Sequence, residues 1–188
     1  MAVYNVHERT LPVPPERLGP LLDGLASPDD RLWPGGQGRW PPMEFGACAG
    51  PAEGARGGHG PVRYTVAAYV PGRWVRFRFT APRGFHGFHE YTVHSAPETA
   101  DPGDEAPGRA QVPCGGAVLR HTLVVRLRGA ARLSWPLVFR RLHDAVLEDS
   151  LDRAEEHCTG AVARPARWSP YVRLLRRLAG ARRGPESR

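Results

Sequence analysis

The chain has 188 residues and a mass of 20.7 kDa, enough for one domain with a sizeable core and a tail. Apolar residues make up 41% of it, with five Trp, five Tyr and six Phe, which excludes a wholly disordered or fibrous chain. No apolar run reaches the roughly 18 residues that a membrane-spanning helix needs. All 26 basic residues are arginine, and the net charge of +7 sits at the end of the chain: Arg164 to Arg188 holds eight arginines and one acid, whereas the preceding part balances 18 against 18. That is not the spread-out basic face of a nucleic-acid-binding domain, so nucleic acid is not an expected partner.

Val3 to Leu11 alternates Val3, Asn5, His7 and Arg9 with Tyr4, Val6, Glu8 and Thr10, the period of a half-buried strand. Pro14 and Pro15 can open a helix whose stripe is Leu18, Leu21, Leu22 and Leu25. Ser27 and Asp30 have the spacing of a cap for a second short helix. Trp33 to Gly60 is rich in Gly and Pro and promises one short strand near Met43 to Ala47, with GGHG at 57 to 60 as a tight turn. The spaced glycines and the lysine of nucleotide-binding loops are absent, so no cofactor is expected.

The middle of the chain has the two-residue period of strands. Val62, Tyr64, Val66, Ala68 and Val70 share one face; Val75, Phe77 and Phe79 oppose Trp74, Arg76 and Arg78; Gly87, His89, Tyr91 and Val93 oppose His86, Phe88, Glu90, Thr92 and His94. Pro97 to Gly116 has no periodicity and reads as a mobile loop. Leu119, His121, Leu123, Val125 and Leu127 then form one face of a last strand. Short turns between these strands require an antiparallel sheet. A helix from about Leu133 to Cys158 carries Leu142, Val146, Leu147, Leu151 and Ala154 as its stripe, with Pro136 tolerable in its first turn and a stop near Gly160. Its acids, from Asp144 to Glu156, read as a solvated surface, with Asp149 able to pair with Arg153. Only this helix is long enough to cover the apolar face of the sheet.

The segments GGHGPVRYTVAAYVPGRWVRFRF, GFHGFHEYTV, LRHTLVVRLRG and LHDAVLEDSLDRAEE, in this order, resemble the START and Bet v 1-like helix-grip superfamily (SRPBCC), in particular its bacterial polyketide cyclase and dehydrase group. The resemblance implies an α+β fold: a curved antiparallel sheet of six or seven strands around a long C-terminal helix, with two short helices after the first strand. It also implies an apolar cavity between sheet and helix. Residues 1–160 would form the ligand-binding domain and 161–188 a basic tail.

Such a cavity would take a small hydrophobic or aromatic molecule, with Tyr64, Val66, Phe77, Phe79, Tyr91, Leu123 and Leu147 as candidate ligand-binding residues. His121, placed between Leu119 and Leu123 on an apolar face, is either a hydrogen-bonded core histidine or a catalytic group; His89 and His143 are its candidate partners. Histidine acid/base chemistry suits the cyclisation or dehydration that the resemblance suggests. The alternatives are a non-catalytic carrier and an interaction protein acting through its tail. No metal is expected, because His86 and His89, three apart on a strand, face opposite ways unless the chain bends at Gly87.

Cys48, Cys114 and Cys158 are widely spaced and form no CxxC pair, and the opening MAVYNVHERTLPVPPERL has no leader pattern, so a cytoplasmic protein with reduced cysteines is expected. In the tail, Ser169 and Pro170 can start a helix with Tyr171, Leu174, Leu175 and Leu178 on one side and Arg173, Arg176 and Arg177 on the other. Residues 168–183 would dock on the protein's own body, join two copies as a homodimer, or contact an anionic membrane.

Overall fold

The computed structural model describes residues 1–37, 40–46, 50–97 and 115–181. Cys48, Cys114 and most of the segment read as a mobile loop lie outside the described residues. Seven strands, β1 (Ala2–Leu11), β2 (Met43–Phe45), β3 (Arg56–His59), β4 (Val62–Val70), β5 (Trp74–Ala81), β6 (Phe85–Ser95) and β7 (Ala117–Leu127), form one antiparallel sheet in the order β1-β7-β6-β5-β4-β3-β2. The strands from β2 to β7 make the expected meander, and β1 returns to pair with β7.

The strand that the sequence conceals is β3. Gly57 and Gly58 give no alternation, yet a side chain at either would run into the Glu44 or Val62 carbonyl of a neighbouring strand. GGHG is therefore three residues of strand followed by the turn at Gly60, not a turn throughout. On β4 the face pattern ends at a register shift between Val66 and Ala68, which leaves Val70 43% exposed instead of aligned with Tyr64 and Val66.

After β1, helix α1 (Pro15–Asp23) buries Leu18, Leu21 and Leu22, with Leu25 buried just beyond it. A second short helix follows, but it is the 3₁₀ turn Pro34–Gln37, not one begun by Ser27. The chain turns at Ala26 (φ 59°), and the Asp30 carboxylate accepts the backbone N–H groups of Ala26, Leu32 and Trp33. Asp30 thus satisfies donors on both sides of a turn, where a helix would have used one side chain to satisfy its own first N–H groups.

The long helix runs continuously through α2 (Ala131–Ser134), a π-helical segment (Trp135–Phe139) and α3 (Arg140–Thr159). Pro136 has no N–H to continue an α-helical ladder; the ring widens, and Arg140 N–H bonds to the Trp135 carbonyl five residues back. Gly160, at φ 81°, ends α3 in the left-handed conformation. Val146, Leu147, Leu151 and Ala154 are buried toward the sheet, and Ser150 Oγ donates to the Leu32 carbonyl at 3.0 Å while contacting Tyr91 Oη at 3.2 Å.

The acids of α3, expected to form a solvated surface, do so only in part: Glu156 is exposed, but Asp144, Glu148, Asp152 and Glu155 are partners of β1. Asn5 donates to Asp144 Oδ1 at 3.2 Å, and Arg9 donates to Asp152 and Glu155 at 2.6 Å each and to Glu148 at 3.3 Å. Asp149 does not meet Arg153; it accepts the indole N–H of Trp40 at 2.7 Å and of Trp168 at 3.0 Å, while Arg153 donates to the Asp30 carbonyl. Helix α4 (Pro170–Ala181) lies on the body, with Val172 5% exposed and Tyr171 Oη donating to the Leu137 carbonyl at 2.8 Å.

Removing Arg9 leaves Asp152 and Glu155, only 16% and 12% exposed, facing each other without their shared cation. Arg9→Ala is expected to lower stability by about 2–4 kcal/mol in urea unfolding, whereas Arg120→Ala, which breaks a half-exposed pair with Glu8, should stay within about 0.5 kcal/mol of wild type. Equal effects of the two substitutions would contradict the role given to the β1–α3 seam.

Candidate functional site

A cavity of about 900 Å³ lies between the concave sheet face and the long helix. Its walls are mainly aromatic and aliphatic, with Trp33, Trp40, Phe79, Phe85, Trp135 and Phe139 among the lining residues. Helix α4 supplies part of the mouth through Leu175, Arg176, Leu178 and Ala179, and the Arg176 guanidinium lies 4.7 Å from the centre of the Trp40 ring. A more open cleft of about 940 Å³ follows the β2–β3 edge and shares His59 and Pro41 with the cavity.

Four histidines give this apolar space its chemistry: His59 from β3, His89 from β6, His121 from β7 and His143 from α3 all line it. His89 pairs across the strands with Leu123, and His121 with Tyr91. The two histidines are thus diagonal neighbours on the same face, with His89 Nδ1 and His121 Nε2 3.1 Å apart. The His143 ring stands 5.2 Å from that of His121 and 5.8 Å from that of His7, so the imidazoles form a row from the interior to the β1–α3 seam.

The His89–His121 bond has a consequence that holds for either tautomer. If His89 donates, its Nε2 is a bare acceptor and His121 Nδ1 carries the proton; if His121 donates, the roles reverse. Two neutral rings so joined always present one donor and one acceptor at their outer nitrogens. Both outer atoms, His89 Nε2 and His121 Nδ1, are buried with no hydrogen-bond partner among the described residues, as are the Tyr64 hydroxyl and His143 Nε2, while His143 Nδ1 lies 3.6 Å from Asp144 Oδ1.

Burial sets the charge state of this row. It drives the His89 and His121 pKa values well below the usual 6.5, and the neighbouring imidazoles of His59 and His143 add to this because protons on adjacent rings would repel one another. His59 is pushed down to about 3 by burial, then by His143 and Arg63. His143 is also lowered by burial, partly offset by Asp144. His7 goes the other way: burial alone would lower it, but Asp144 at 3.2 Å and Glu148 at 2.8 Å raise it to about 9. It is an imidazolium at neutral pH, and despite burial the Asp144 carboxyl is held well below its ordinary value by His143 and then His7.

Donor atoms of His7, His143 and Asp144 lie within 4.8 Å of one another, the group with metal-ligand spacing among the described residues. Asp144 Oδ1 in this group lies 3.2 Å from His7 Nε2, and Glu148 beside it lies 2.8 Å from His7 Nδ1. His86 is exposed on the face opposite His89, and the two do not converge.

Of the residues singled out from the sequence, His89, His121, His143, Phe79, Tyr91, Leu123 and Leu147 line the cavity. Val66 and Phe77, 2% and 0% exposed, pack into the core behind it, and Tyr64 contacts the β2–β3 cleft. The Tyr91 hydroxyl is engaged with Ser150. Arg63 donates to the Gly60 and Val62 carbonyls, and Arg78 is exposed. Sequence reasoning considered His59 only as a remote metal ligand and did not place it in the cavity, and it missed the aromatic lining from Trp33, Trp40, Trp135 and Phe139. It also placed the α4 leucines on one side with the arginines opposite; instead Leu175 and Arg176 turn inward while Leu174 and Leu178 are exposed.

A seven-stranded sheet cradling one long C-terminal helix over a cavity decides the architecture. The fold is helix-grip-like. No family profile matches the chain, and no curated protein matches it. Among solved structures, CalU16 from Micromonospora echinospora is similar at a TM-score of 0.52 and 13% identity, over 96% of this chain and 86% of that one. A Thermobifida fusca protein reaches a TM-score of 0.56 at 9% identity over 88% and 99%, and XoxI from Bacillus cereus 0.52 at 9% over 83% and 95%. At these identities the likeness is one of fold.

The pKa directions fix the sign of the pH dependence. The four lowered histidines bind protons more readily in the unfolded chain, so the stability of holding them neutral is complete above about pH 6.5 and is lost progressively below it. The contribution of His7 is complete below about pH 6.5 and lost as pH rises through about 9. Urea midpoints should therefore peak near pH 6.5 and fall on both sides, more steeply toward acid. His121→Gln should weaken the acid limb and His7→Gln the alkaline one; a flat profile in wild type would contradict the assignment of charges.

Proposed function

We propose that the chain binds one small hydrophobic or aromatic molecule in the cavity between sheet and α3. The observation that carries this reading is the volume of about 900 Å³ enclosed by aromatic and aliphatic walls, within the size range of small-molecule sites and with only a few polar groups converging on it. Residues 1–160 form the ligand-binding unit and 161–188 a tail whose helix α4 adds to the lining of the cavity. The cytoplasm is its place of action, on the strength of its widely spaced cysteines.

A second reading, proton-transfer catalysis such as cyclisation or dehydration, is favoured by the His89–His121 pair. A neutral dyad with one donor and one acceptor can take a proton from one atom of a ligand and return one to another, the shared proton shifting between the rings, with no net charge left in a low-dielectric interior. The His143 ring, 5.2 Å from that of His121, packs beside the dyad and would share in this chemistry. If the dyad serves only to hydrogen-bond the ligand, the protein is a carrier.

The probe 1-aminoanthracene, a planar aromatic fluorophore, is expected to bind saturably at one site per chain. Leu142→Trp, which fills the cavity from α3, should weaken binding by about tenfold or more. No uptake by wild type, together with no small molecule released from natively purified protein, would sink the binding reading. Conversion of a recovered molecule by wild type and not by His121→Gln supports catalysis; retention without conversion supports a carrier.

A further inference from the structure

We propose that the α2–π segment and α4 together form a docking surface for an anionic lipid bilayer at the mouth of the cavity, so that the ligand is one that dissolves in membranes. The second clause rests on the cavity reading; the surface itself does not. Nine large hydrophobic side chains are well exposed among the described residues, and five of them gather here: Leu133 (70%), Leu137 (58%), Tyr171 (43%), Leu174 (50%) and Leu178 (55%). The Tyr171 hydroxyl bonds to the Leu137 carbonyl, so the two helices present these residues side by side.

Helix α4 is apolar on two faces. Val172, Leu175 and Ala179 turn toward the body and the cavity, as docking on the protein requires. Tyr171, Leu174 and Leu178 recur at i, i+3 and i+7 on the outer side, flanked by exposed Arg173 and Arg177. Intramolecular docking does not explain that second face. Leu178 belongs to both surfaces, since it is half-exposed and also lines the cavity, which makes the apolar path continuous from outside to inside.

Charge selects the occupant. Residues 131–143 and 157–181 contain eight arginines and no acid; the first carboxylate after the π segment is Asp144, 3.7 Å from Arg140. A second copy of the chain docked here about a two-fold axis would set arginine against arginine. A polyanionic nucleic acid would match the charge but give the leucines nothing apolar to enter. An anionic bilayer supplies both, with headgroups for the arginines and acyl chains for the leucines.

The test uses the full chain and phosphatidylcholine vesicles with or without about 30% phosphatidylserine, read by co-sedimentation. Binding should be about tenfold or more stronger with phosphatidylserine and should fall with added salt. The triple variant Leu133→Ser, Leu174→Ser, Leu178→Ser, which changes no charge, should lose about tenfold or more, and Arg173→Gln with Arg177→Gln should remove the lipid preference. Equal binding of wild type and the leucine variant would overturn the surface, because attraction would then be only that of a basic protein. A dimer in solution that the leucine variant dissociates, with no vesicle binding, would overturn it in favour of a second copy. Uptake of 1-aminoanthracene separates the two readings: dye binding without vesicle binding defeats the surface and leaves the cavity, and vesicle binding without dye binding does the reverse.

Discussion

The fixed element on which this molecule depends is the seam between β1 and α3. A sheet with one apolar face must be covered, and α3 covers it, but hydrophobic contact alone has no direction and would draw the helix down until no space was left. Asn5, His7 and Arg9, at alternate positions of β1, meet Asp144, Glu148, Asp152 and Glu155 along one side of the helix. These bonds are directional and charge-assisted, and they fix the helix along the β1 edge at a set height and angle. Further along, Ser150 joins α3 to Tyr91 and Leu32, and Asp149 gathers the indoles of Trp40 and Trp168. Held in this way along β1, α3 roofs the cavity with Leu142, His143, Val146 and Leu147, while Trp135 of the π segment packs against Phe85, Leu123 and Leu127 of the sheet.

The same seam divides the histidines electrically. His7 lies among carboxylates and is cationic; His143, one residue from Asp144, faces inward and is held neutral by burial; His121 and His89 continue the row into the interior. The identical side chain is thus an ion-pair partner at one end and an uncharged hydrogen-bonding group at the other, and the difference is solvation and the distance to a carboxylate. The interior pair carries no charge that the low dielectric would penalise, yet it keeps one donor and one acceptor without partners among the described residues.

Much of the fold was legible because its strands keep a strict period of two. Leu119, His121, Leu123, Val125 and Leu127 share a face as read, and the antiparallel pairing of β6 with β7 brings His89 and His121 to bonding distance. What was illegible follows from physical causes. The strand β3 is built of glycines whose role is to let backbones approach, so it has no pattern. The acids of α3 look like a solvated face because their partners are 137 to 146 residues away. The tail's inward and outward faces are both apolar, and no property of the segment itself says which one meets the body.

The sequence by itself determined the elements: which runs alternate, where a proline permits a helix to begin, that an apolar strand face had to find a long helix, and that the positive charge sits in the tail. Those are local properties, written in residues within a few positions of one another. The tertiary structure decided the rest: which acid meets which base, that His7 is charged and His121 is not, that Trp33, Trp40 and Trp135 wall the same space, and that α4 adds to its lining. Each of these depends on burial and on distances between residues far apart in the chain, and both exist only once the helix has been set against the sheet.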